Sequence, residues 1–203
     1  MSSQTDFFVY LPILLMAGVV IIVLIISYFT LVGRGKAWSD LAERTGLMYE
    51  PGQFFGYGRS VSGVYQRHQI KLDSFTRGTG KSSHTYTRIV ALLNQPTNLS
   101  LTIYQEGMFS KLGKALGMKE LSIGDDEIDR RFVIQGQPES DVIRALTSLG
   151  MRQRLIEAPG LHLEVKGQEI RYEKRGFETD PNTLIALFDL MCALGDAIDH
   201  LQN

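Results

Sequence analysis

The sequence predicts an α+β protein: one N-terminal transmembrane helix, then a single domain in which a mainly antiparallel sheet (a meander plus a C-terminal hairpin) is packed by helices. Three observations carry the prediction. The stretch from Phe7 to Val32 runs 26 residues without a charged side chain, and at about 1.5 Å per residue it outspans a hydrocarbon core of roughly 30 Å. From Gly58 to Tyr104 apolar residues recur at every second position, the period of half-buried strands. Asp180-Pro181 then offers a cap and a first-turn proline to an apolar helix reaching about Leu201.

The first element reads as an anchor. Pro12 falls near the start of the apolar run, where a helix loses an amide donor at little cost. A cleaved signal peptide needs a basic leader and a shorter apolar stretch, and no Lys or Arg precedes the run. Arg34, Lys36 and Arg44 follow it closely, so the positive-inside rule predicts a single-pass inner-membrane protein with its N-terminus outside and its domain in the cytoplasm. Phe7, Phe8 and Tyr10 at one end and Tyr28 and Phe29 at the other suit the two interfaces. The expected division is residues 1–36 for the anchor and a juxtamembrane turn, and 37–203 for the cytosolic domain.

Ala37 to Thr45 reads as a short separate helix with Trp38, Leu41 and Ala42 on one face and Gly46 as its stop. Four strands follow: Val61 to Tyr65, Ile70 to Leu72, His84 to Leu93 and Leu99 to Tyr104. Gln66-Arg67-His68 and Asn94 to Asn98 are the turns beside them. Met108 to Met118 is weakly helical, with Lys111 and Lys114 beside Phe109, Leu112 and Leu116. Arg131 to Gln135 reads as a strand. Pro138 opens a helix carrying Val142, Ile143, Leu146 and Leu149, which Gly150 ends. Met151 to Ala158 continues helically to Pro159-Gly160. Gly167-Gln168 is a Gly-first loop predicting a two-residue hairpin in which Lys166 faces Glu169, Glu164 faces Arg171 and His162 faces Glu173, with Val165 on Ile170 and Leu163 on Tyr172. In the last helix Asn182, Asp189 and Asp196 form one narrow polar stripe, so most of its surface is expected to be covered.

Charge is uneven along the chain. Gly33 to Lys114 holds 11 basic and 5 acidic residues, and Ala115 to Asn203 holds 10 basic and 16 acidic. Arg34, Lys36, Arg59, Arg67, Lys71, Arg77, Lys81 and Arg88 are therefore the candidate contacts for an anionic surface, the leaflet being the nearest one. Phe188, Ile185 and Leu201, on the flanks of the last helix, are candidates for a partner interface if other helices leave them open.

The motifs that suggest chemistry weaken on inspection. Gly78-Thr-Gly-Lys-Ser82 resembles the end of a phosphate-binding loop, yet Phe75 stands where the first glycine belongs and a strand-like run follows instead of a helix. Asp125, Asp126, Glu127 and Asp129 lack EF-hand spacing and read as a solvated loop. His68, His84, His162 and His200 show no metal spacing, and the single Cys192 provides neither a disulfide framework nor a zinc set. Asp196, Asp199 and His200 lie where a helix turns polar before ending. No cofactor is expected. His84 converging with Asp73 or Asp125 in a closed pocket would instead favour an enzyme.

Trp38 with Leu41-Ala42 and Gly46-Leu47, Gly63-Val-Tyr65, and Gly124-Asp125 with Asp129-Arg-Arg-Phe132, all behind an N-terminal span, resemble a loose class of uncharacterised bacterial single-pass membrane-anchored proteins with a cytosolic α+β domain. The resemblance implies a bacterial source and an anchored domain, and it transfers no catalytic residue. The leading functional expectation is a non-enzymatic interaction domain that binds a membrane-protein partner, itself or the anionic lipid surface. A membrane-anchored enzyme or small-ligand-binding domain is the alternative. Nucleic acid comes third, because the basic and aromatic residues of the proximal strands lack any recognition motif.

Overall fold

A computed structural model describes residues 3–53, 58–105, 119–158 and 160–202. The chain is α+β, with a mainly antiparallel sheet packed by helices behind an apolar N-terminal helix. That helix, α1 (Ser3–Thr45), is one uninterrupted element of 43 residues. The expected turn at Gly33 to Lys36 is absent, and the short Trp38 helix is the last part of the anchor helix. Neither Gly33 nor Gly35 departs from helical geometry, and a glycine costs a helix only about 1 kcal/mol. Along α1 the segment from Leu15 to Val32 is long and apolar enough to cross a membrane and makes almost no contact with the domain. Four residues after Arg34 the same helix is in the core, with Trp38 and Leu41 fully buried.

The sheet comprises β1 (Met48–Glu50), β2 (Ser60–Tyr65), β3 (His68–Arg77), β4 (His84–Gln105), β5 (Phe132–Gln137) and β6 (His162–Arg175). Its order is β1-β2-β3-β4-β5, and β6 pairs with both halves of β4. The meander of β2, β3 and the first half of β4 is as expected, but its first turn is Gln66-Arg67 alone: both residues have positive φ, and His68, expected in the turn, opens β3 opposite Tyr65.

The two expected reversals lie inside β4 and β6. Gly167-Gln168, with Gly167 at φ 62°, closes the expected hairpin: Glu164, Lys166, Glu169 and Arg171 line one small cleft, and Glu173 acts on the His162 ring, which only folded-back arms allow. The arm from Glu169 pairs with the first half of β4, Tyr86 opposite Arg175, and the arm from His162 pairs with the second half, Tyr104 opposite His162. Asn94 to Asn98, with Pro96 inside a register irregularity between Leu92 and Thr97, therefore turns β4 around the tip of this hairpin. The inward residues are Leu163, Val165, Ile170 and Tyr172, all buried as expected, and Arg171 pairs with Glu169 on its own arm.

Helices α2 (Asp126–Arg131), α3 (Glu139–Leu146), α4 (Met151–Glu157) and α5 (Pro181–Leu201) complete the domain. Gly150, at φ 77°, lies between α3 and α4, but α3 already ends at Leu146, so Leu149, expected on its apolar face, is exposed. The acidic run is no solvated loop: Asp125 caps α2 by accepting from the amides of Glu127 and Ile128. Arg152 of α4 donates to Asp125 at 2.7 Å and to Glu127 at 2.5 Å. The Ile128 amide, then Arg152, hold the Asp125 carboxyl below the usual carboxylate range. The weak helix expected over Met108 to Met118 lies outside the described residues.

The core lies between the inner face of the sheet and α5, flanked by α3, α4 and the end of α1. Asp180 caps α5 with Pro181 at its first position, and Leu184, Leu187, Leu190, Met191, Leu194 and Ile198 are all buried. At roughly 1.5–3 kcal/mol per fully buried aliphatic side chain, this helix is the main organiser of the core.

Candidate interaction surfaces at the two ends of the sheet

The far end of the sheet, away from the anchor, is built around the polar stripe of α5. Tyr65 and Gln66 of the β2–β3 turn donate to Asp189 Oδ1 at 2.9 and 2.7 Å. Arg67 donates to both oxygens of Asp196 at 3.0 and 3.1 Å. The buried His68 ring lies 3.0 Å from the Leu92 carbonyl through Nδ1 and 3.1 Å from Asp196 through Nε2. One turn later Asp199 accepts from the side chain and the amide of Asn94. The stripe is therefore a row of carboxylates that grips a hairpin turn and the β4 irregularity. Gly195 lets it do so, because a side-chain carbon there would lie 2.7 Å from the His68 ring. Burial, with Asp189 beside it, pushes the Tyr65 phenol up to about 12, and burial likewise pushes the Cys192 thiol up to about 12, which leaves that thiol unreactive.

Flanking this row, Phe188 is fully buried edge-on to Tyr65 at 5.7 Å, so it belongs to the core rather than to a partner interface. Ile185 and Leu201 are partly buried and packed against the core.

The near end is where α1 docks. Trp38 stacks on Phe177 at 4.5 Å and donates its indole N–H to the Glu178 carbonyl at 2.9 Å. The Arg34 guanidinium lies over the Phe177 ring, 5.0 Å from its centroid. Thr87 fixes the same loop, donating to the Gly176 carbonyl and accepting from the Glu178 amide. Lys174 holds Glu178 at 2.7 Å; burial opposes ionisation there, but Lys174 and the amides of Thr179 and Asp180 still bring the carboxyl below its usual range.

The eight basic candidates do not form one face. Arg59 is buried beside Tyr49 and Gly35. Arg67 sits at the far end on Asp196. Arg88 makes a bidentate pair with Asp73 at 2.9 and 2.6 Å, and Asp73 raises its pKa further. Lys71 is exposed in the middle of the outer face of the sheet. Arg77, Lys81, Arg34 and Lys36 belong to the near end: Arg77 pairs with Glu173 at 3.0 Å and lies over the stacked rings of Phe75 and Tyr86, and Lys81 is in the 3₁₀ turn Gly80–Ser82. That turn leads into β4, so the phosphate-loop resemblance has no helix to support it. Sequence reasoning missed Arg175, which reaches the His84 ring at the same end; its place at the close of β6 is set by pairing with Tyr86.

The outer face between the two ends is an open cleft of about 470 Å³ bordered by Lys71, Asp73, Arg88, Leu92 and Arg171. His84, Asp73 and Asp125 do not converge in it; they pair separately with Arg175, Arg88 and Arg152. Among the described residues no three His, Cys, Asp or Glu side chains are grouped to hold a metal ion.

No family model matches the chain, and no curated protein matches it. Among solved structures the chain is similar to the crystal structure of the mycobacterial trehalose monomycolate transport factor A, TtfA, with a TM-score of 0.47 and 13% identity over 83% of this chain and 94% of that one.

Proposed function

We propose that the chain is a membrane-tethered, non-enzymatic interaction domain that presents its sheet at a fixed pose above the cytoplasmic leaflet and binds a membrane-protein partner or a second copy of itself. The observation that carries this reading is the continuity of α1, which has an exposed apolar segment and a core-embedded end in one helix. A domain on such a mount is concentrated toward anything sharing its membrane, so modest contacts suffice for association. Arg34, Lys36 and Arg44 after the span, with no Lys or Arg before it, support the cytoplasmic side. The polar groups favour binding over catalysis: the α5 carboxylates and His68 hold a hairpin, and Asp73, Asp125 and His84 each have a separate basic partner.

Two measurements test the reading. A reporter active only in the cytoplasm, fused to the C-terminus, is expected to work, and one that requires export to stay silent; the reverse overturns the orientation. A photo-crosslinker at Leu92 or Lys71 on the outer face is expected to give a discrete adduct in intact membranes. A folded, membrane-inserted protein with no adduct at either position overturns the interaction role.

A further inference from the structure

We propose that the β3–β4 tip, the end of β6 and the foot of the anchor together form a cationic contact for anionic lipid headgroups. The proposal rests on the reading that α1 crosses the membrane, and it adds which end of the domain meets lipid and by what chemistry.

Position comes from a short chain of contacts. Arg34, just past the uncharged span, lies over Phe177. The neighbouring Gly176 amide donates to the Thr85 carbonyl at 2.8 Å, and Thr85 faces Thr76 across the β3–β4 ladder. The start of the tip is thus level with Arg34. Direction comes from β2: Arg59 reaches Gly35, whereas Gly63 lies beside Leu47, so β2 and α1 both run away from the lipid. β3 is antiparallel to β2, with Asp73 opposite Ser60. The four residues from Asp73 to Arg77 therefore return toward the bilayer by about 13 Å, and the segment from Arg77 to His84 projects past the level of Arg34.

Charge agrees with position. Arg34, Lys36, Arg77, Lys81, Lys174 and Arg175 gather at this end, and the carboxylates Glu173, Glu178 and Asp180 beside them are already held by Arg77, by Lys174 and by the first amides of α5. Arg77 remains 61% exposed while its guanidinium rests 5.2 Å from the Phe75 and Tyr86 ring centroids, a support that leaves donors free for phosphate oxygens. The opposite end carries Asp189, Asp196 and Asp199. The domain is electrically polarised along the anchor, with its positive end toward the lipid, and an anionic leaflet draws in nearby cations.

The test uses the full chain in nanodiscs of phosphatidylcholine alone or of phosphatidylcholine and phosphatidylglycerol in equal parts, each doped with a headgroup quencher. A fluorophore is placed at Ser82→Cys, with Asn98→Cys as the far-end control; Cys192 is buried and stays unlabelled. Strong quenching at position 82 is expected only with phosphatidylglycerol, and none at 98. Arg77→Gln with Lys81→Gln and Arg175→Gln should weaken it by at least about fivefold, the effect of roughly one cation near such a surface. If circular dichroism shows this triple variant misfolded, Lys36→Gln with Lys81→Gln carries the same expectation. Equal quenching in both lipids, no quenching in either, or variants that quench like the parent overturn the proposal while the anchor stands. Release of the protein from membranes by alkaline extraction instead overturns the anchor reading itself.

Discussion

His68 has no exposed surface to speak of, and each of its ring nitrogens meets an acceptor, the Leu92 carbonyl on one side and Asp196 on the other. Removing that carboxylate strands a buried polar ring and releases Arg67. Asp196→Ala is expected to cost about 1–3 kcal/mol in urea unfolding, since a buried group left without its partner keeps its full desolvation penalty. Phe188→Ala is expected to cost about 3–5 kcal/mol as a core cavity, and Phe188→Asp to abolish the fold by circular dichroism rather than merely an association. His162 gives the pH dependence. Burial lowers its pKa from the ordinary 6.5, so the unfolded chain binds the proton more readily than the folded one. Its contribution is therefore intact above 6.5 and declines as pH falls from there through the depressed folded value. Thermal unfolding followed across that window should show a loss that His162→Gln lacks, while the loss from Glu178 begins only below its ordinary 4.5.

At the scale of elements, the joint between α1 and the domain depends on one indole. Trp38→Ala removes the stack on Phe177 and the bond to Glu178, and an expected cost of about 3–5 kcal/mol should appear in hydrogen exchange as faster opening of residues 37–47 than of α5. Local signals marked several ends of elements: Asp180-Pro181 caps α5 and Gly150 separates α3 from α4, while the first turn of the meander is one residue shorter than expected because His68 belongs to β3. Gly167-Gln168 reverses the chain as its chemistry said, switching the inward parity from Leu163 and Val165 to Ile170 and Tyr172. What local signals could not show was which strands become neighbours: the arms of the β6 hairpin pair with the two halves of β4, which turns around its tip at Asn94 to Asn98. The surfaces suffered the same limit. Every cation was visible in the sequence, but Asp73 for Arg88, Asp196 for Arg67 and Glu173 for Arg77 are set by register across strands and by α5. The acidic run was read as loop because its cation, Arg152, lies 27 residues from Asp125.

For the whole molecule, on the reading that α1 crosses the membrane, one helix joins the span to the core of the domain. Because no turn intervenes between Val32 and Trp38, counting residues there amounts to setting an angle. One alanine inserted after Val32 rotates the domain by about 100° about the span and lifts it about 1.5 Å, whereas seven return it to within roughly 20° of its starting azimuth. A partner that grips both a side of the span and the outer face of the sheet must meet both in phase. The yield of the Leu92 adduct is accordingly expected to fall with one or two inserted alanines and to recover at seven, as measured by crosslinking in intact membranes. A Gly-Ser joint at the same place would erase the periodicity altogether. On that reading α1 acts as a keyed shaft, and the face offered to the rest of the membrane is dialled by the length of a helix.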